Sequence, residues 1–354
     1  MMSARPRSSS RDHIDLGARR LLGRTGLTVC PIALGTMQFG WTMSDVDAMR
    51  LLDAYAGGGG NLIDTANMYG GDQSVESFAH NRAHVGMSED VIGRWLTTRN
   101  ARDTVVLSTK VRARMWEGDD GEGLTRRHIV RAVEDSLRRL RTDYLDILYA
   151  HWPDPGSDPC EWLGVFGELQ AAGKVRHVGT SNFCGFGDFG DLLTPLLELA
   201  TAGDLPSVEV EQTRYNLLNR RDFESRLQAI ATQNGLGIVT YSSLASGFLA
   251  GRYRPGVEAT GDRAPFVSQY RTERGWEVLA ALQRIGDARD VPVAAVALAW
   301  SLGRAGVTAT IIGPDSIQEL ADCALACTTE LELREAEELT RLSWYESEPE
   351  FVEW

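Results

Sequence analysis

The sequence predicts a closed (β/α)8 TIM barrel forming a single domain of the α/β class, and three observations carry that expectation. Eight short β-branched runs recur along the chain, ending near Gly35, Asp64, Lys110, His151, Ser181, Gln212, Tyr241 and Gly313. Helical patterns fill the gaps between them. Several runs are almost continuously apolar, as parallel strands buried on both faces must be. Strand–helix repetition of this kind over roughly 250 residues plus insertions is the signature of the fold.

The first run, PIALG, leads into a helical pattern over residues 45–56, and GGGG at residues 57–60 turns the chain into NLID. VVLSTK follows, then a helix over residues 125–141 with Ile129, Val133, Leu137 and Leu140 on one stripe and arginines opposite. LDILYAH feeds a helix over 162–172, stopped by AAGK; VRHVGTS feeds one over 192–201. VEVEQ feeds a helix over 222–234, stopped by NGLG. Between GIVTY and TATIIG lie a loop at 251–269 and helices over 274–289 and 292–304; a helix over 316–326 closes the repeat. No linker or composition shift divides residues 20–354, while the basic, Ser-rich residues 1–19 read as a disordered tail.

Composition excludes several function classes. A net charge of −13 argues against a nucleic-acid surface. No apolar run approaches the roughly 18 to 20 residues that cross a bilayer, and the N-terminus lacks the apolar core of a secretion signal. Cys30, Cys160, Cys184, Cys323 and Cys327 are scattered and read as reduced thiols of a cytoplasmic protein, with no metal site.

Four side chains at or near strand ends stand out. Asp64 ends NLID, Tyr69 follows five residues later, Lys110 ends VVLSTK and His151 ends LDILYAH. Lys110 and Lys174 are the only lysines among 36 basic residues. A chain so biased toward Arg keeps a Lys where a compact, titratable ammonium is needed. In a barrel all four fall at the C-terminal rim, where active sites are built. A phenol is a weak acid, with an ordinary pKa of about 10. Lys110 is expected to lower that value, Asp64 to hold Lys110 charged, and a neutral His151 to orient a substrate oxygen. The quartet suits proton donation to a carbonyl that receives a hydride.

That hydride must come from a cofactor, since no side chain donates one. No Rossmann fingerprint is present, and GGGG lies between a helix and a strand, on the wrong side of the repeat for a phosphate loop. A nicotinamide would instead lie at the barrel mouth. Ser181, Asn182 and Gln212 offer amide-binding groups, and Tyr241 offers a stacking face.

At this point the chain resembles the aldo-keto reductases, over roughly residues 20–342. The stretches that carry the likeness include RRLLGRTGLTVCPIALGTMQFG, NLIDTANMYG, YLDILYAHWP, VRHVGTSNF, TYSSLASGFLAGRY and TIIGPDSIQEL. The opening is similar to the microbial branch, and the whole is similar also to potassium-channel β-subunit-like members. The resemblance implies that Asp64, Tyr69, Lys110 and His151 form a catalytic tetrad with Tyr69 as proton donor. It implies cofactor contacts from Gly35, Thr36 and Asp64, from Ser242, Leu244, Gly247 and Leu249 along the pyrophosphate, and from Gly313, Asp315, Glu319 and Asp322 at the adenosine end. The implied cofactor is NADP(H). Asp315 and Glu319, however, stand where relatives often carry Arg, Lys or Gln, and they point to NAD(H) nearly as strongly, with Arg252, Arg254 and Arg263 as compensating cations.

Substrate contacts are expected from Trp41, Tyr69, Trp116, His151 and Trp152, whose indoles beside hydrogen-bonding groups suit a sugar or keto-sugar; a generic aldehyde or ketone is the other reading. An insertion over residues 71–87 either shapes the pocket or forms a surface excursion, and its departure beside Tyr69 favours the pocket. The expected partner is a small carbonyl or alcohol, and a homo-oligomer is compatible with the sequence. The contrasting function is a cofactor-binding regulatory protein on the same barrel, which the complete quartet disfavours.

Overall fold

The computed structural model describes residues 14–70, 85–185, 190–260 and 263–344. Strands β1 (Arg20–Leu21) and β2 (Thr28–Val29) pair as an antiparallel hairpin. Eight further strands follow: β3 (Ile32–Gly35), β4 (Leu62–Asp64), β5 (Val106–Val111), β6 (Leu145–Ala150), β7 (Val175–Ser181), β8 (Val208–Arg214), β9 (Gly237–Tyr241) and β10 (Val307–Ile312). They pair in chain order, and β10 closes on β3. Every pair in the barrel is parallel. Each β-branched run of the sequence is a barrel strand.

The barrel interior is filled by Ala33, Leu62, Val106, Ile147, Tyr149, Val210, Val239 and Ala309. Gly179 makes room for Tyr149: a Cβ there would stand 2.4 Å from the ring. Leu22 and Val29 of the hairpin pack into the same cluster and plug the N-terminal end. The hairpin presses close enough that a Cβ on Gly23, at φ +53, would lie 2.2 Å from the Gly237 nitrogen. This plug was not foreseen, because two-residue strands carry no periodicity.

Helices wrap the outside. Arg126–Leu140 is capped by the Thr125 hydroxyl and buries Ile129, Ala132, Val133, Leu137 and Leu140, the expected stripe. Residues 222–234 form a π-helical turn at Phe223–Leu227 that runs into the helix Gln228–Asn234, so the single expected helix is wound in two ways. The helix Met87–Arg99 was missed because Gly93 interrupts its apolar face. The glycine is a contact point, since a Cβ there would lie 2.0 Å from the Arg139 carbonyl oxygen. Leu333–Leu342, also missed, is held by Arg220, which donates to the Thr340 carbonyl at 2.6 Å and the Ser343 hydroxyl at 3.0 Å.

The expected tail ends earlier than residue 19. Leu16 is buried and donates its N–H to the Gly58 carbonyl at 2.7 Å, and Arg19 donates to Gly59 at 2.7 Å, so this stretch is pinned on the GGGG turn. Residues 1–13 lie outside the described residues, as do residues 71–84 of the insertion thought to shape the pocket. No helix among the described residues is long and apolar enough to cross a membrane.

Candidate active site

Strand alternation and register bring the quartet together. Asp64 stands opposite Ser108 on β5, and Lys110 lies two residues further along the same face, opposite Tyr149 on β6. His151 is again two residues beyond Tyr149. The Lys110 ammonium is fully buried and donates to Asp64 Oδ2 at 2.5 Å, to the Thr65 carbonyl at 2.9 Å and to the Tyr69 hydroxyl at 3.2 Å. The other Asp64 oxygen accepts from the Ser108 hydroxyl and from Gln212 Nε2, each at 2.9 Å. The His151 ring meets Tyr69 edge-on, with centroids 6.0 Å apart. His151 Nδ1 is buried and has no hydrogen-bond partner among the described residues.

Tyr69 is fixed from behind. Its carbonyl accepts from the Gly86 and Ser88 N–H groups at 3.1 and 3.3 Å. Ser88 in turn donates its hydroxyl to the Thr36 oxygens at 2.8 and 2.9 Å. Thr36 also donates to the Asp64 carbonyl at 3.0 Å, which ties the ends of β3 and β4 to the helix behind Tyr69.

The electrostatics depart from expectation at one point. Burial raises the Tyr69 phenol, Lys110 draws it down and Asp64 pushes it back up, leaving it above its ordinary value. The expected lowering fails because burial outweighs the pull of Lys110, whose charge Asp64 also offsets at close range. Burial draws Lys110 down too, yet Asp64 and Tyr69 outweigh it, so its pKa is raised and the ammonium persists. Burial, with Lys110 and Arg112 adding to it, drives His151 well below the usual imidazole range. The site at neutral pH therefore holds a neutral phenol, a charged ammonium and a neutral imidazole.

His128, on the helix behind the mouth, is also lowered, mainly by burial. The unfolded chain would take up these two protons near pH ~6.5, while the folded chain resists them to lower pH. Their stabilising contribution is thus fully present above that value and declines as pH falls through the folded-state pKa values. Thermal melts of wild type and H128Q from about pH 8 to about pH 5 should show a smaller acid-side loss of Tm in the variant. Parallel curves would refute the buried neutral imidazole.

The expected amide-binding row forms a connected network. Asn182 lies in the left-handed region at φ 64 and donates to the Ser181 hydroxyl at 3.1 Å, while the Tyr241 hydroxyl donates to Asn182 Oδ1 at 2.9 Å. Gln212 directs its amide nitrogen to Asp64, so it also braces the quartet. After β9 the chain runs through Ser242, Ala245, Ser246 and Gly247, all at positive φ. Left-handed turns of this kind shape concavities of N–H groups that suit a pyrophosphate. Leu244 is partly buried beside them, whereas Leu249 is fully buried in the core, so its contribution is limited to its backbone.

At the far end, Arg252 donates to Asp315 at 2.7 Å and to Glu319 at 2.5 Å, and Arg263 donates to Asp315 at 2.8 Å. Gln38 donates to Asp315 at 2.5 Å, and Arg263 also reaches the Gly313 carbonyl at 3.1 Å. Arg254 binds carbonyls of its own loop, and Asp322 accepts from Gln318, so neither joins this cluster. Gly35 is a packing position: a Cβ there would lie 2.6 Å from Ile311. The amide row and the left-handed turns are groups that could hold a nicotinamide dinucleotide.

The tryptophans separate. Trp152 lies against the His151 ring at 4.4 Å, and Trp41 is exposed on the first mouth loop. Trp116 is packed between His128, at 4.8 Å, and Arg131, at 4.0 Å, and so is a fixed wall of its loop. Ser108, Ser88 and the Thr65 carbonyl were not singled out from sequence. Ser108 could have been, because it precedes Lys110 by two and must share its face.

The rim of this eight-stranded barrel joins a phenol, an ammonium, a carboxylate and an imidazole, a set able to move a proton. The profile of the aldo/keto reductase family matches residues 31–343, and the chain belongs to that family. With it comes oxidoreductase character between carbonyl and alcohol. Protein tas of Escherichia coli (strain K12) is 32% identical over 320 residues, covering 84% of this chain and 89% of the relative. Uncharacterized oxidoreductase YrpG of Bacillus subtilis (strain 168) is 33% identical over 319 residues, covering 88% and 91%. Norsolorinic acid reductase stcV of Emericella nidulans is 31% identical over 319 residues, covering 86% and 76%.

Proposed function

We propose that this chain is a nicotinamide-dependent enzyme that interconverts a carbonyl and an alcohol, with Tyr69 as the general acid and, in reverse, the general base. The observation that carries this reading is the 3.2 Å contact between the Tyr69 hydroxyl and a Lys110 ammonium held by Asp64. Tyr69 keeps its proton until a substrate oxygen gains negative character, then donates it. Lys110 stabilises the phenolate that remains, and Asp64 keeps Lys110 charged. Neutral His151 donates to and orients the substrate oxygen. A bound nicotinamide supplies the hydride. Ser181 and Asn182 would hold its carboxamide with Gln212 beside them, Tyr241 would stack on its ring, and the left-handed turns from Ser242 to Gly247 would hold the pyrophosphate.

NAD(H) is the cofactor favoured by the charges. Arg252 and Arg263 are already paired with Asp315 and Glu319. A 2′-phosphate would have to displace a carboxylate and then remain beside it. Like unit charges about 4 Å apart cost roughly 4 kcal/mol at an effective dielectric near 20, before screening. Ribose hydroxyls can instead donate to these acids. Fluorescence titration should give tighter binding of NADH than of NADPH, and D315S/E319Q should shift the ratio toward NADPH by about tenfold, or roughly 1.4 kcal/mol. A hundredfold preference of the wild type for NADPH would contradict the acidic-pocket reading.

For substrate, a sugar or keto-sugar is supported by Trp152 against His151 and by exposed Trp41. The test is cofactor oxidation across sugars, keto-sugars and simple aldehydes. Turnover confined to apolar aldehydes would exclude the sugar reading.

A further inference from the structure

Glu211 is a fully buried carboxyl that the reaction does not use, and it stands next to Gln212 on β8. Its Oε2 accepts from the Thr180 hydroxyl at 2.5 Å, and its Oε1 accepts from the Phe183 N–H at 3.0 Å. These partners flank Ser181 and Asn182, where β7 turns through the left-handed Asn182. We infer that Glu211 is a positioning residue for the nicotinamide end of the cofactor, fixing the Ser181–Asn182 turn from outside the barrel. The inference rests on the nicotinamide reading above.

The turn needs such a brace. Asn182 N–H donates to the Gln212 carbonyl at 3.0 Å, and its side chain links Ser181, Tyr241 and the His151 carbonyl. One displaced residue would therefore disturb the amide-binding groups, the stacking ring and the histidine together. An apolar side chain at position 211 would leave a buried hydroxyl and a buried N–H without their acceptor, and such losses exceed those of an exposed hydrogen bond.

Glu211 forms no ion pair among the described residues, and its titratable neighbours Tyr149 and Cys184 are uncharged. Burial pushes its carboxyl up to about 8. Glutamine reproduces the shape and the acceptor oxygen facing Phe183, and so should substitute for it. A role confined to general stability would not separate the two ends of the dinucleotide; a positioning role must.

The experiment compares NADH and ADP-ribose binding in wild type, E211Q, E211L and T180V, each checked for folding by circular dichroism. E211L is expected to bind NADH about tenfold more weakly and ADP-ribose unchanged, with E211Q within about threefold of wild type. T180V, which removes one donor to Glu211, should weaken NADH by about threefold and spare ADP-ribose; it decides the matter if E211L does not fold. Equal loss of both ligands, or no loss of NADH, overturns the role of Glu211 while leaving the function intact. Failure of the wild type to bind either NADH or NADPH overturns the nicotinamide reading itself.

Discussion

Tyr69→Phe should lose turnover by at least about 10² while retaining cofactor affinity, because general acid catalysis is worth on the order of 10²–10⁴. Only the hydroxyl is removed, and its hydrogen bond is to Lys110, which keeps Asp64 and Thr65 as partners. The ring against His151 remains. A parallel titration with NADH separates chemistry from binding. Turnover within a few-fold of wild type would remove Tyr69 as the acid and return the quartet to a structural role.

Lys110→Met should be the most damaging substitution for stability. It leaves the Asp64 carboxylate buried with Ser108 and Gln212 as its only side-chain donors among the described residues. Removing one member of a buried ion pair costs about 3–5 kcal/mol, since the remaining charge is uncompensated. The double variant D64N/K110M should recover part of that loss, because a neutral amide at position 64 no longer needs a cation. Urea unfolding measures both. A loss below about 1 kcal/mol for K110M would mean that Asp64 is effectively solvated, contrary to its 3% exposure.

Much of the fold was legible because its signals are local. β-branched runs, the Thr125 cap and the apolar stripe on Arg126–Leu140 each lie within a few turns of chain, and barrel closure follows from their repetition. The rim quartet was legible for the same reason: each member sits at or just beyond a strand end, and the architecture dictates where strand ends meet. The helix Met87–Arg99 was hidden by Gly93, whose purpose is a contact with another helix and not a feature of its own sequence.

What the sequence alone determined is the barrel, its rim and the residue types displayed there. Tertiary structure decided how those residues are used. Gln212 reaches Asp64 across 148 residues, Arg252 reaches Glu319 across 67, and Trp116 packs between His128 and Arg131 of the helix Arg126–Leu140. It also decided that Tyr69 stays above its ordinary pKa, since the net effect depends on how far burial outweighs a lysine already neutralised by its partner. Strand order follows from patterns that neighbouring residues share, whereas side-chain pairing and desolvation depend on distances that exist only once the barrel has closed.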